Sequence, residues 1–552
     1  MHTYRELQLG LPERKPPGGD NFPADVHKAR AWIGVLPRAN LTVTSDMLEK
    51  ALVDLNQCRW PGKRRLAVLE VLRPVVMEIV AALHKQCENV AIPLALPKAR
   101  VFERLQRLEA GLALGYRIAV VEMCAPSGKR PLLGRRKVAT ALARSAWHAA
   151  RCLQHAYFIY RQPPAGTWAQ LHRVHAFARS AGLAEQKVED RLAGKRVRVG
   201  GTYAGALLMA LSNPYRFSQR EQQELADLSE RLAPLLVLRD ARSDPDQLAV
   251  SIGADRGPGY VAAEREEDDD ARLWVDLAPL RERVEAAIAE AREGVARIAL
   301  GERQVLAVAA ELLARLRDGW ERSQARSTRR LAAGHQLDTA IGISGLHFHL
   351  SGLVDFETFL RKAGESTGEQ AGRAVWAHAA VDAGRVPLQR AEVIDQSLGG
   401  YQLRWAADQG VRARVGELIG LALATEEADR QWMLGVIRWL RYEDDGAVEA
   451  GIQLLSRRVR PVALRWVDGG GEAKPLRGVE YEPVSGSSEG ALHLGAASMQ
   501  ATGPGQIEVL RLAETVDIDQ PAPLRELAEV PAVAENAGDY VLLVAQRQER
   551  VA

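Results

Sequence analysis

The sequence predicts an α+β multidomain protein: an N-terminal all-α helical domain, then a C-terminal β-barrel that carries an insertion and a β-rich extension. Three observations lead there. Apolar residues recur three and four positions apart from residue 24 to about 250. From about residue 335 the apolar period drops to two. Between these regions, residues 251–272 hold Gly, Pro and an acidic run from Glu264 to Asp270 broken by Arg265, the composition of a solvated linker. The expected divisions are 1–250, helical; 251–319, acidic linker and connecting helix; 320–468, barrel with an insertion at 351–384; and 469–552, the extension.

Composition bounds the function classes. The chain has 552 residues, of which 47% are hydrophobic, enough to bury cores in about three domains and too apolar for wholesale disorder. With 73 Lys+Arg against 70 Asp+Glu, the net charge of +3 excludes a polybasic histone-like protein and an acidic tail protein alike. Any attraction for anions must come from a local patch. Cys58, Cys87, Cys124 and Cys152 form no CxxC pair and no metal-ligand spacing, which suits a reducing cytosol. No run reaches the ~18–20 apolar residues of a membrane span. The opening MHTYRELQLGLPERKPPGGDNFP has no apolar signal core. The expectation is a soluble, cytoplasmic protein.

Each helix has its own pattern. Residues 66–84 (LAVLEVLRPVVMEIVAALH) show the helical spacing, with Pro74 as the expected kink. Residues 101–114 and 137–160 repeat it, and Ala206–Leu211 is one apolar patch. Pro61-Gly62, Pro126-Ser127-Gly128 and Pro163-Pro164-Ala165-Gly166 separate these segments. No 34-residue repeat is evident, so helix pairs are expected and a strict solenoid is not. Residues 277–320 read as further helix. Strands are expected at 336–350, 391–405, 432–442, 447–455 and 461–468, and more weakly at 475–482, 491–499, 506–517 and 539–547. Glu443-Asp444-Asp445-Gly446 between two alternating runs signals a hairpin. A small barrel with a second β layer follows from several short strands and frequent glycine.

Two constellations carry chemistry. Residues 321–330 (ERSQARSTRR) set Arg322, Arg326, Arg329 and Arg330 against one glutamate. Arg322/Arg326 and Arg326/Arg330 are i, i+4 pairs whose like charges repel, a repulsion that an anion with two phosphates relieves. The guanidinium fork also fits phosphate and the O6/N7 edge of guanine. Alone, the pattern reads as a solvated basic face. The second is Asp395-Gln396-Ser397-Leu398-Gly399-Gly400. A carboxylate accepts two hydrogen bonds from guanine N–H groups, a serine adds a short hydroxyl, and paired glycines let backbone approach a flat ligand. Alone, it reads as an ordinary β turn.

Taken together, the arginine cluster before the first strand and the D-x-S-x-x-G turn resemble the PilZ domain, the small β-barrel receptor for cyclic di-GMP. Its R-x-x-x-R element is met by Arg326 and Arg330, or in the other frame by Arg322 and Arg326. Its [D/N]-x-S-x-x-G element is met by Asp395, Ser397 and Gly400. The resemblance covers residues 320–468 and implies a PilZ-like β-barrel that binds cyclic di-GMP without covalent chemistry. The arginines would grip guanine edges and phosphates, Asp395 and Ser397 would contact a guanine, and Arg329 would serve an intercalated ligand dimer. Arg330 and Asp395 stand 65 positions apart, more than is usual in the family, a gap the insertion at 351–384 accounts for. Residues 166–180 and 202–220 further resemble segments of large bacterial proteins with a helical N-terminal region and a C-terminal PilZ-like domain. Some of those are linked to type IV pili and surface attachment.

Other features read as structural. His172 and His175 lack a third ligand, so core or surface histidines are expected rather than zinc. Gly128-Lys129 lacks the upstream glycine of a phosphate loop, with Met at 123. Residues 341–345 miss the spacing of a nucleophile elbow. The basic run Lys129–Lys137, with Arg130, Arg135 and Arg136, has no interleaved aromatics and reads as solvated surface. The resulting expectation is a non-enzymatic receptor with no cofactor. Cyclic di-GMP would be its ligand, and the helical domain would present a surface to a protein partner, in the pilus or polar machinery. The alternatives are a PilZ-fold scaffold that binds no nucleotide and a nucleic-acid-binding protein using residues 128–151.

Overall fold

A computed structural model describes residues 2–19, 21–241, 248–261, 272–301, 304–320, 331–364, 387–424, 430–468, 471–472, 474–484, 491–497, 505–513, 524–531, 533–536 and 540–547. The chain forms two compact units, Met1–Val90 with Leu94–Ala325, and Ala91–Pro93 with Arg326–Ala552.

The first unit begins with helices α1 (His2–Gln8), α2 (Val26–Gly34), α3 (Leu41–Gln57), α4 (Gly62–Lys85), α5 (Leu96–Cys124), α6 (Arg135–Phe158), α7 (Thr167–Ser180), α8 (Val199–Leu211) and α9 (Gln219–Leu232). Apolar spacing explains the long ones. On α4, Leu69, Leu72, Val76, Ile79 and Leu83 are all buried, against Leu105, Leu108 and Leu112 of α5 and the alanine-rich face of α6. Asp25 and Asn40 cap α2 and α3 by accepting from the amides of Lys28 and Val43, and Ser218 with Glu221 forms a capping box on α9. Helix α4 continues through Pro74, where burial of Leu72, Val75 and Val76 offsets the ~3 kcal/mol an interior proline costs. All four cysteines are buried free thiols.

Strands occur both within residues 1–250, expected to be all helix, and in the stretch expected to be linker and connecting helix. Strands β1 (Val188–Asp190) and β2 (Lys195–Val197) form a hairpin between α7 and α8. Strands β3 (Val237–Arg239), β4 (Leu248–Ser251), β5 (Gly259–Tyr260) and β6 (Arg272–Asp276) make a sheet in the order β3-β6-β4-β5. The acidic run itself lies outside the described residues. Residues 277–320 are not one helix: α10 (Ala278–Ala289) gives way to a hairpin of β7 (Val295–Ala299) and β8 (Val305–Ala309), then α11 (Ala310–Trp320). Glu293 and Gly294 take positive φ and end the helical path, and both strands alternate exposed and buried. Alanine-rich composition hid that period of two.

The second unit is two barrels on one shared strand. Its strands are β9 (Leu331–Ala332), β10 (Gln336–Ile341), β11 (Gln389–Ser397), β12 (Gly400–Trp405), β13 (Leu418–Leu423), β14 (Met433–Tyr442) and β15 (Val448–Asp468). The order β12-β11-β10-β13-β14-β15 closes through β12–β15 pairing into a six-stranded barrel. The Trp405 indole lies inside it and donates to Thr339 Oγ1 at 3.0 Å. Two expected strands, 447–455 and 461–468, are one 21-residue strand, β15. It leaves β14 at Ser456 and takes up β17 from the same residue. There a bulge bends the strand, and the buried Ser456 hydroxyl bonds both backbone groups of Arg458.

Beyond that pivot come β16 (Gly471–Glu472), β17 (Leu476–Pro483), β18 (Ala491–Ala497), β19 (Gly505–Leu510), β20 (Arg525–Val530), β21 (Val533–Asn536) and β22 (Tyr540–Arg547). The ring β15-β17-β18-β22-β20-β19 closes again on β15. What was expected as a β layer is thus a second closed barrel, cored by Val462, Leu464, Leu494, Ile507, Val509 and Leu543. Two other strand expectations change. At 336–350 the strand stops at Ile341, Gly342 turns with φ +82°, and α12 (Ile343–Leu350) begins. Ile343 and Leu346 are buried three apart, a spacing that serves a helix, and they pack with residues of both barrels. At 391–405 there are two strands and a turn, not one strand. In the insertion, α13 (Phe356–Lys362) is the described helix, and 365–386 lie outside the described residues.

Candidate functional site

The turn between β11 and β12 carries the D-x-S-x-x-G residues. Ser397 pairs with Gly400 across a two-residue loop of Leu398 and Gly399, and the Ser397 hydroxyl lies 3.4 Å from the Gly400 carbonyl. Leu398, at the tip, is 72% exposed. Gly400 is demanded by space: a Cβ there would sit 2.0 Å from the Ile452 carbonyl oxygen of β15. No side chain fits without parting β12 from β15.

Asp395 owes its position to a bulge. Ala391 and Val393 point into the barrel, so a regular strand would put residue 395 inside too. The register slips between Val393 and Asp395, which leaves Ile394 as the extra residue. The slip takes the carboxylate out of the core phase, and Asp395 is half-buried beside the turn.

On the other edge of β11 runs the segment that follows the arginine cluster. Strand β9 pairs antiparallel with β11, Leu331 opposite Gln396 and Ala332 opposite Asp395. The ladder continues with Gly334 N–H to the Val393 carbonyl at 2.8 Å and Val393 N–H to the His335 carbonyl at 2.9 Å, then into β10. Arg322, Arg326, Arg329 and Arg330 themselves lie outside the described residues. Asp395, Ser397 and Gly400 share one hairpin.

Sequence reasoning missed two things here. One is the β9 register, because a two-residue strand has no period to read. The other is Arg438. From β14 its Nε donates to Gln453 at 2.7 Å, the residue opposite Gly400, and its two terminal nitrogens donate to Glu535 at 2.8 and 3.2 Å. It ties the strand behind the turn to β21 of the second barrel.

The remaining sequence features resolve as core or turn. His172 Nδ1 meets the Tyr203 hydroxyl at 2.8 Å and Nε2 meets the Arg256 carbonyl at 2.9 Å, so both ring nitrogens are engaged. His175 stacks on Tyr203 with centroids 3.9 Å apart, and burial pushes its pKa down to about 3. Asp445 lies in the β14–β15 turn, where it accepts from the Ala447 amide at 2.9 Å and pairs with Arg404. Among the described residues no helix is long and apolar enough to cross a membrane.

Comparisons with known proteins agree with this geometry. A family model described as the N-terminal domain of the cyclic-di-GMP receptor FimW matches residues 27–243. The model of the middle PilZ domain of the same receptor matches residues 247–385 and 369–461. Residues beyond 461, most of the second barrel, lie outside both. A curated relative, the cyclic-di-GMP receptor FimW of Pseudomonas aeruginosa, is 28% identical over 495 residues, 81% of this chain and 79% of the relative. No solved structure gives a significant match. Two successive domains of one receptor are thus matched in order along this sequence, the second of them reaching into the closed barrel that bears the D-x-S-x-x-G turn, and the chain belongs to the FimW family, with a PilZ domain in its middle.

Proposed function

We propose that this protein is a receptor for cyclic di-GMP, bound on the wall of the first barrel by the arginine segment and the β11–β12 turn. The observation that carries the reading is the register of β9. Leu331 pairs with Gln396, and Arg330 is joined to Leu331 by one peptide, a Cα separation of about 3.8 Å. Asp395 and Gln396 thus lie opposite the two residues that follow the arginine cluster in sequence, which supports the reading. Arg326 and Arg330, with Arg322 and Arg329 alongside, offer forks for guanine O6/N7 edges and phosphates, and Asp395 accepts from guanine N–H groups. Gly400 keeps the turn flush with β15, and Ser397 adds a hydroxyl beside it. This is binding without bond making or breaking.

A ligand held by the arginine segment, which lies between α11 and β9 in sequence, acts by shifting a conformational equilibrium. It shifts an equilibrium only by its differential affinity for two states, and a useful switch needs on the order of 1–3 kcal/mol. The helical unit would pass that shift to a protein partner, in the machinery of type IV pili or surface attachment. The name of the curated relative supports the receptor reading.

The test is isothermal titration of the full chain with cyclic di-GMP, using wild type, Arg326→Ala and Asp395→Ala. Micromolar or tighter binding, lost in both variants, is expected. Absence of heat at high ligand overturns the reading and leaves the barrel as a scaffold.

A further inference from the structure

The helical unit contains a cleft of about 710 Å³, in the size range of small-molecule sites. Helix α4 supplies the floor, the start of α6 one wall, and the β1–β2 hairpin the other. Seven basic side chains line it against three carboxylates. At the floor two buried arginines converge on one acid. Arg73 binds Asp190 through both oxygens, at 2.9 and 2.8 Å, and Arg144 binds the same carboxylate at 2.8 Å. Glu70 is the other floor acid, 3.3 Å from Arg144 and 2.6 Å from the Tyr116 hydroxyl. Nearer the mouth Arg191 faces Glu189 at 3.8 Å. Arg136, Lys187 and Arg196 have no ion-pair partner among the described residues.

The wall at α6 runs against the usual economy of helices. A helix start favours carboxylates, because its amides carry partial positive charge. Here the first turn reads Arg135-Arg136-Lys137, no acid follows, and the cap residue Gly134 offers no side-chain bond. Such a turn is destabilising by itself, and so is the cluster of unpaired cations across from it. Local rules broken together around one concavity mark a site rather than a scaffold.

We propose that this cleft binds a small phosphate-bearing anion, at a site separate from the barrel turn. Phosphate suits the unpaired Arg136, Lys187 and Arg196 and the helix start, and its charge relieves both repulsions. The remaining lining, Pro74, Ala139, Thr140, Gln186, Val188 and Leu192, has no aromatic face on which unpaired bases would stack, so the geometry favours a compact ligand over a nucleic-acid strand.

The experiment titrates the full chain with inorganic pyrophosphate, ATP, cyclic di-GMP and a duplex oligonucleotide, at two salt concentrations. Proteins compared are wild type, Arg136→Ala/Lys187→Ala/Arg196→Ala, the single variant Arg136→Gln as a milder change, and Asp395→Ala. Expected is salt-sensitive binding of pyrophosphate or ATP that weakens about tenfold or more in the triple variant, less in Arg136→Gln, and not in Asp395→Ala. The unliganded melting temperature of Arg136→Gln is expected to hold or rise, since the cation opposes the helix start. Binding of the oligonucleotide alone, no binding of pyrophosphate or ATP, or binding untouched by both cleft variants overturns the proposal. Loss of small-anion binding in Asp395→Ala would assign it to the barrel turn instead, and overturns it too.

Discussion

The two barrels share β15 and the same six-strand closure, yet differ in what they carry at their walls. In the second, Arg511 is 2% exposed and held between Glu480, at 2.8 and 3.2 Å, and Glu526 at 2.9 Å. Both carboxylates keep it charged, and its pKa is raised although burial alone would lower it. That arrangement is closed and saturated. The first barrel instead interrupts its own pattern with a bulge at Ile394, a turn pressed against β15, and a short flanking strand fed by four arginines. Both barrels carry bulges, at Ile394 and at Ser456, so what separates the candidate receptor wall is its exposed turn at Leu398 beside a short flanking strand, not irregularity or fold.

The largest effect is expected from Arg511→Leu, which removes the cation between two mostly buried glutamates, leaving Glu526 only Arg547 among the described residues, and costs about 3–5 kcal/mol in urea unfolding. Because β15 belongs to both rings, one cooperative transition is expected. Two separate transitions would show that the barrels are independent and sharpen the contrast. Next is Asp395→Ala, expected to weaken cyclic di-GMP by about 2–3 kcal/mol in titration with little change in stability, as for a hydrogen bond to a charged group. Its counterpart Glu508→Ala, which removes a partner of Arg465 in the second barrel, should leave binding unchanged. Equal losses in both would erase the distinction. Gly400→Ala forces β12 from β15 and should cost about 1–3 kcal/mol and weaken the ligand. Gly505→Ala places its Cβ 3.7 Å from the Trp466 ring and should be near neutral in the same melts.

The smallest effect concerns pH. His347 of α12 is 1% exposed, and burial, with Arg477 nearby, pushes its pKa down to about 3. The unfolded chain takes up that proton near pH 6.5 and the folded chain does not, so stability falls as pH drops below about 6.5. The slope is at most about 1.4 kcal/mol per pH unit. His347→Phe should flatten that part of the stability profile between pH 7 and 5. An unchanged slope would mean that α12 does not limit unfolding.

Periodicity and composition alone established a helical start, a strand series from about residue 335, a hairpin at Asp444-Asp445-Gly446, and the residues of the turn at 395–400, but not the strands β1–β8 that come earlier. These are local properties, and a short window of sequence contains them. Only tertiary structure decided that 447–468 is one strand serving two barrels, that 277–320 folds back through a hairpin, and that 343–350 is helical. In each, partners distant in sequence determine whether an apolar run lies in a sheet or on a helix face. The same holds for function. Two motifs 65 positions apart were legible as motifs. Only backbone pairing decided that β9, the segment after the arginine cluster, runs beside Asp395, and hydrogen bonds across strands leave no trace in the residues that make them.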